Sequence, residues 1–176
     1  MMEPMAVAVH AMRRFSISKD STVCVIGLGT IGLLLTMFLK SEGIENVYLF
    51  GNKDVHRDYA RKLGIDDECY NAKHISPAGH ITMVGNPYSD MEISKDLYWK
   101  ILRKQLKISG TWNSSYTGDV DDDWHFVLNK LEKAEIDPER FITHEYSIDG
   151  IQTGMEIMRD KSEDYVKVIC INEEDL

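Results

Sequence analysis

Six residues, Gly27-Leu28-Gly29-Thr30-Ile31-Gly32, set the tightest limit on what this chain can fold into. A β-type run, Thr22 to Ile26, precedes them, and an apolar helix-like run, Ile31 to Lys40, follows. Strand, GxGxxG and helix in that order is the context in which the motif binds phosphate. The first glycine permits a tight turn. The second lets a pyrophosphate approach the backbone. The third lets helix and strand pack closely, with the helix N-terminus facing the phosphates. Gly27, Leu28, Gly29, Thr30, Ile31 and Gly32 are therefore the first candidate cofactor contacts. A glycine turn that serves packing alone is the alternative reading.

The next strand, Asn46 to Phe50, ends in Gly51-Asn52-Lys53, with His56 and Arg57 shortly after. An NAD site normally places Asp or Glu about 20 residues beyond the motif, at the end of this strand, to bind the ribose hydroxyls. That acid is missing. Gly51 and Asn52 would tolerate a 2′-phosphate, and Lys53 and Arg57 could attract it. The reading is NAD or NADP with NADP slightly favoured. Ordinary surface cations at a helix start are the alternative.

The rest of the chain bounds the class. At 176 residues it is long enough for one domain with a core. A formal charge of −9 argues against nucleic acid and anionic membrane partners. Its longest apolar run, Ile31 to Leu39, is about half a bilayer span. No secretory signal is visible, which makes a reducing cytoplasm the expected setting. Cys24, Cys69 and Cys170 lie far apart without CxxC spacing. Cys24 and Cys170 fall in β-type runs, where a buried small hydrophobe is expected. The six histidines show no metal spacing, and Asp119 with Asp121 to Asp123 suits a helix N-terminus better than calcium.

Helices are expected at Pro4 to Arg14, Thr30 to Glu42, Asp54 to Leu63, the second part of Met91 to Gln105 (capped near Ser94), Asp121 to Ala134 and Asp149 to Arg159. Strands are expected at Thr22 to Ile26, Asn46 to Phe50, His80 to Gly85, Leu106 to Trp112, Arg140 to Tyr146 and Tyr165 to Ile171, with a short one at Asp67 to Tyr70. That alternation implies an α/β fold with a mostly parallel sheet.

The runs EPMAVAVHAM, VCVIGLGTIGLL and ARKLGIDD resemble the zinc-dependent medium-chain alcohol and polyol dehydrogenases. GHITMVGNPYSDM, LKISGTWNSS and DGIQTGMEIMRDKSEDYVKVICI are similar to the galactitol-1-phosphate and sorbitol dehydrogenase branch. The resemblance runs from Glu3 to Ile171. It implies a Rossmann-type doubly wound parallel sheet over residues 1–143, with 144–176 belonging to a GroES-like catalytic domain that this chain otherwise lacks. It also implies that a helix–strand unit is missing near 74–76, which would leave an edge of strand Thr22 to Ile26 without its neighbour. A segment lost from the record, a decayed gene or a second chain filling the gap would each produce this pattern.

By the same resemblance, Val84, Gly85 and Asn86, and Thr111 with Trp112, would contact the nicotinamide. Plain packing is the alternative. Glu3 would approach a catalytic zinc in a full-length relative, but its fellow ligands are absent here, so no catalytic residue is assigned. The resemblance implies hydride transfer between NAD(P) and a polyol or sugar-phosphate substrate. The rivals are an inactive dinucleotide-binding or dimerisation module and a remnant of a decayed gene. A homodimer is expected through an outer strand, Leu106 to Trp112, helped by apolar surface on helix Ile31 to Leu39.

Overall fold

The computed structural model describes residues 1–50, 58–61, 76–87 and 89–172. The expected strand at Asp67 to Tyr70, most of the helix Asp54 to Leu63, and Gly51, Asn52, Lys53 and Arg57 lie outside them. Residues 58–61 are helical.

The chain opens on helix α1, Met2–Met12. Strand β1, Val23–Ile26, leads through the glycine turn into α2, Thr30–Ser41, and then β2, Val47–Phe50. β3, His80–Met83, is followed by α3, Lys95–Arg103, and β4, Lys107–Gly110. α4 spans Asp123–Glu132, β5 Ile142–Tyr146, α5 Ile151–Asp160 and β6 Lys167–Cys170. The order is that of an α/β protein, and every strand pairing among the described residues is parallel. Among the described residues the strands form three separate pairs, β1–β2, β3–β4 and β5–β6. No described strand joins β1 to β3, which is where the missing helix–strand unit would lie.

The core lies around α2. Leu33, Leu34, Phe38 and Leu39 are fully buried, as are Ala8 and Val9 of α1 and Val127 of α4. This corrects one expectation. Most of the apolar helix is covered within the chain, by α1 and α4 among others. Phe38 meets Phe126 at a ring separation of 6.3 Å. Only Ile31 and Leu35 of its apolar residues stay partly buried, and they line the cavity described below.

The aspartate run ties α4 to α1. Asp122 caps α4 by accepting from the His125 amide at 2.8 Å, and it also accepts from the amides of Thr117 and Gly118, each at 3.0 Å. Burial pushes its carboxyl pKa upward, but these hydrogen bonds and one from the His125 ring outweigh that and hold it well below the usual range. Buried Asp123 accepts from the Ser115 amide at 2.7 Å and meets His10 Nδ1 at 2.8 Å and Arg13 Nη1 at 3.2 Å. Every carboxylate of this pair is thus engaged by protein groups.

Two other expectations resolve differently. Ser94 does cap α3, accepting from the Leu97 amide at 3.3 Å. Cys24 and Cys170, expected to be buried, are exposed. Within β1 only Val25 is buried, because α2 covers one face of the strand and the other borders a cavity.

Candidate functional site: the glycine turn and its cavity

β1 ends at Ile26 because the chain must turn sharply into α2. Gly27 takes φ +96°, a left-handed conformation that a side chain would strain, and its amide donates to the Phe50 carbonyl at 2.8 Å. Leu28 buries its side chain in the core and anchors the turn. Gly29 caps α2 with extended backbone and no side-chain hydrogen bond, so its helix presents first-turn amides without a side-chain cap. A Cβ at Gly32 would land on the Gly27 carbonyl, so this position must be glycine for α2 to lie against the end of β1. A Cβ at Gly27 or Gly29 would meet nothing within 4 Å. The protein's own packing thus demands the third glycine, while the first two border open space.

That space is a cavity of about 920 Å³. Its lining includes Gly27, Gly29, Thr30, Ile31 and Gly32 of the turn and Val84 and Gly85 just beyond β3. Its body runs between β1 and β3, reaching Phe15, Ile17, Thr22, Tyr48, Gly79 and His80. The described lining contains no Asp, Glu, Lys or Arg. An anion there meets no carboxylate, and its charge would rest on backbone amides and the α2 dipole.

Seven sequence candidates therefore converge: Gly27, Gly29, Thr30, Ile31, Gly32, Val84 and Gly85. The Thr30 hydroxyl donates to the Val166 carbonyl, which leaves its backbone amide as the group facing the mouth. Leu28 contributes its backbone only. Asn86 is exposed outside the lining. The Thr111 amide donates to Met83 at 3.0 Å and extends the β3–β4 ladder, while its buried hydroxyl has no partner. Trp112 is 72% exposed and lies off the cavity. Glu3 is exposed on the first turn of α1. Among the described residues no three His, Cys, Asp or Glu side chains converge to hold a metal, and none forms such a group with Glu3.

Sequence reasoning missed the cavity body. His80, whose Nε2 lies 2.8 Å from Ser109 Oγ, also meets the Phe15 ring at 5.1 Å. The signal that could have found these residues was the unfilled edge of β1, since whatever faces that edge must line the gap.

No family model matches the chain. It is 26% identical to L-threonine 3-dehydrogenase of Shigella dysenteriae, over 89% of this chain and 53% of that protein. Among solved structures, galactitol-1-phosphate dehydrogenase from Escherichia coli superposes with a TM-score of 0.80 at 20% identity, over 95% of this chain and 58% of that one. An alcohol dehydrogenase from E. coli CFT073 complexed with NADH gives 0.78 at 20% identity, over 97% and 58%. A zinc-binding dehydrogenase from Sinorhizobium meliloti bound to NADP gives 0.76 at 20% identity, over 97% and 58%. The chain thus spans about half the length of the curated relatives it matches. The fold is Rossmann-type. The aligned stretch of the threonine dehydrogenase match is 191 residues, longer than this whole chain. Since 89% of 176 is about 157, roughly 34 of those aligned positions have no counterpart here.

Proposed function

We propose that this chain, a relative of the zinc-dependent medium-chain alcohol and polyol dehydrogenases, is a dinucleotide-binding domain that takes NAD or NADP at the Gly27–Gly32 turn. The observation that carries the reading is the open space beside Gly27 and Gly29 at the uncapped start of α2, where a pyrophosphate would accept backbone N–H bonds. The nicotinamide end would lie across the cavity mouth toward Val84 and Gly85, at the carboxyl ends of the strands where α/β sheets bind ligands. In a full-length relative such a domain would receive hydride from a polyol or polyol phosphate. Residues 1–143 form the nucleotide domain in this reading, and 144–176 are elements of the catalytic domain.

The second reading is an inactive dinucleotide-binding or dimerisation module, or a remnant. It is favoured by the lack of a metal-ligand cluster among the described residues. No described helix is long and apolar enough to cross a membrane. The exposed thiols of Cys24 and Cys170 suit a reducing cytoplasm.

Calorimetry with each dinucleotide tests the proposal. One nucleotide should bind per chain, with NADP bound at least as tightly as NAD. No heat from either nucleotide would leave the remnant reading. A clear preference for NAD would show that Gly51, Lys53 and Arg57 were misread. With zinc added, neither galactitol 1-phosphate nor sorbitol should be oxidised by the chain alone, and turnover with stoichiometric zinc would refute the inactive reading.

The homodimer reading rests on β4 and its surroundings. Ile108 is 44% exposed and Trp112 72%. α3 buries none of its residues, leaving Leu97, Tyr98 and Leu102 at the surface. An apolar outer strand of this kind gains by pairing with its copy. Sedimentation should give a dimer, and Ile108→Pro should shift it to monomer or aggregate by removing a ladder amide. A stable monomer in the unmutated protein would defeat the dimer.

A further inference from the structure

The Thr30 hydroxyl is directed to the far end of the chain. Thr30 is the first residue of α2, and its Oγ1 donates to the carbonyl of Val166, 136 residues further on. A threonine hydroxyl has one proton to give. With that proton on Val166, Oγ1 can only accept, and an acceptor gains nothing from a phosphate oxygen. The side chain is therefore not a ligand contact. We propose that Thr30 is a positioning residue whose hydroxyl couples dinucleotide binding at the glycine turn to the β5–β6 pair, an inference that rests on the dinucleotide reading of that turn.

On the turn side, the backbone beside the phosphate position has little support of its own. Gly27 and Gly29 are exposed, and a Cβ at either would meet nothing within 4 Å. Gly29, at the N-cap, brings no side-chain hydrogen bond. The first-turn amides are aimed by anchors on either side of them. These are buried Leu28, the Gly27 amide on the Phe50 carbonyl, and the Thr30 hydroxyl on Val166. Of these three, the Thr30 bond is the one made from within the helix.

On the far side, Val166 is 3% exposed and belongs to a short relay of hydrogen bonds. Its amide donates to Thr143 Oγ1 at 3.2 Å, and Thr143 Oγ1 donates to the Lys167 carbonyl at 3.1 Å. Thr143 stands where the β5–β6 register slips, between the Ile142–Lys167 and His144–Val168 pairs. Removing the Thr30 hydroxyl would deprive the buried Val166 carbonyl of this donor, and such a loss is costly. The start of β6 and the start of α2 thus hold each other in place. Coupling of this kind is reciprocal: what a nucleotide gains from an aimed turn, β6 gains from a bound nucleotide.

Calorimetry well below Tm compares the variants. Thr30→Val keeps the shape and removes the hydroxyl, and should weaken dinucleotide binding about tenfold, within the range of coupling between sites. Thr30→Ser restores the hydroxyl and should bind within about twofold of the unmutated chain. Thr143→Val leaves the turn untouched and loosens Val166 from behind. It should weaken binding about threefold, and it carries the test should Thr30→Val fail to fold.

Hydrogen exchange reads the coupling from the other end. The Val166 and Ile171 amides donate to β5, Ile171 to the Tyr146 carbonyl at 2.9 Å, and neither residue lines the cavity. Saturating dinucleotide should slow their exchange about tenfold more in the unmutated chain than in Thr30→Val. The Leu33 amide, bonded to the Gly29 carbonyl at 3.0 Å, should slow in both and shows that nucleotide is bound.

Unchanged affinity in Thr30→Val would overturn the proposal. A loss as great in Thr30→Ser would do so too, because side-chain shape and not the hydroxyl would then govern binding. Equal slowing at Val166 and Ile171 in both proteins would also overturn it, leaving the bond a support for the fold alone. An unmutated chain that binds neither NAD nor NADP would sink the dinucleotide reading and this coupling with it, whereas the other outcomes sink the coupling only.

Discussion

Gly29→Asp should weaken dinucleotide binding by more than about 100-fold while leaving the fold intact. The two halves of this expectation rest on different physics. For folding, Gly29 caps α2 with φ −72° and ψ −174°, ordinary extended backbone, and its added Cβ meets nothing within 4 Å. Aspartate is a favoured residue at a helix N-cap, where its carboxylate accepts first-turn amides. The free protein should therefore be as stable as before, or slightly more so. For binding, that carboxylate takes the amides a pyrophosphate would use and sets like charge against it. Like-charge juxtaposition of this kind costs several kcal/mol, and about 3 kcal/mol corresponds to more than 100-fold. Calorimetry with the preferred dinucleotide and thermal unfolding of the free variant check the two halves separately. Unchanged affinity would sink the assignment of Gly27–Gly32 as the phosphate site. Gly32→Ala supplies the contrast. Its Cβ would collide with the Gly27 carbonyl, so it should lower stability with or without nucleotide.

What the sequence revealed was mostly local. The strand–turn–helix at 23–41 follows from glycine spacing and apolar runs. The cap at Ser94 and the aspartates at the start of α4 follow from chemistry within one helical turn. What it hid was which distant surfaces meet. Cys24 sits in a run that reads as buried, yet burial of β1 depends on a neighbour on each side, and among the described strands it has β2 alone. α2 reads as a helix in search of cover, but nothing local shows that α1 and α4 pack onto it. Val84 and Gly85 line the cavity, while Asn86, Thr111 and Trp112 lie outside its lining. Resemblance fixes a position along the strand, whereas the separation of the two half-sheets decides which of those positions face the turn.

Phe38→Ala should destabilise the chain by about 3–5 kcal/mol, the range for removing a buried aromatic ring. Phe38 is completely buried, is not part of the cavity lining, and lies near Phe126 of α4. Truncation leaves a void there that neighbours on three elements can fill only by moving together. Against a typical domain stability of about 5–15 kcal/mol, that loss is large. Leu102→Ala on α3 should cost much less, within about 0.5 kcal/mol, because the side chain is 56% exposed and little packing is lost. Urea unfolding of both variants checks the comparison, with unchanged m-values required for the midpoints to report stability. The contrast locates the cohesion of the fold. If Phe38→Ala proves as mild as Leu102→Ala, then α1, α2 and α4 do not form a packed core, and the glycine turn at the head of α2 has no rigid base from which to present its amides. If the large difference is found, the turn stands on a core that α1, α2 and α4 of this chain form together.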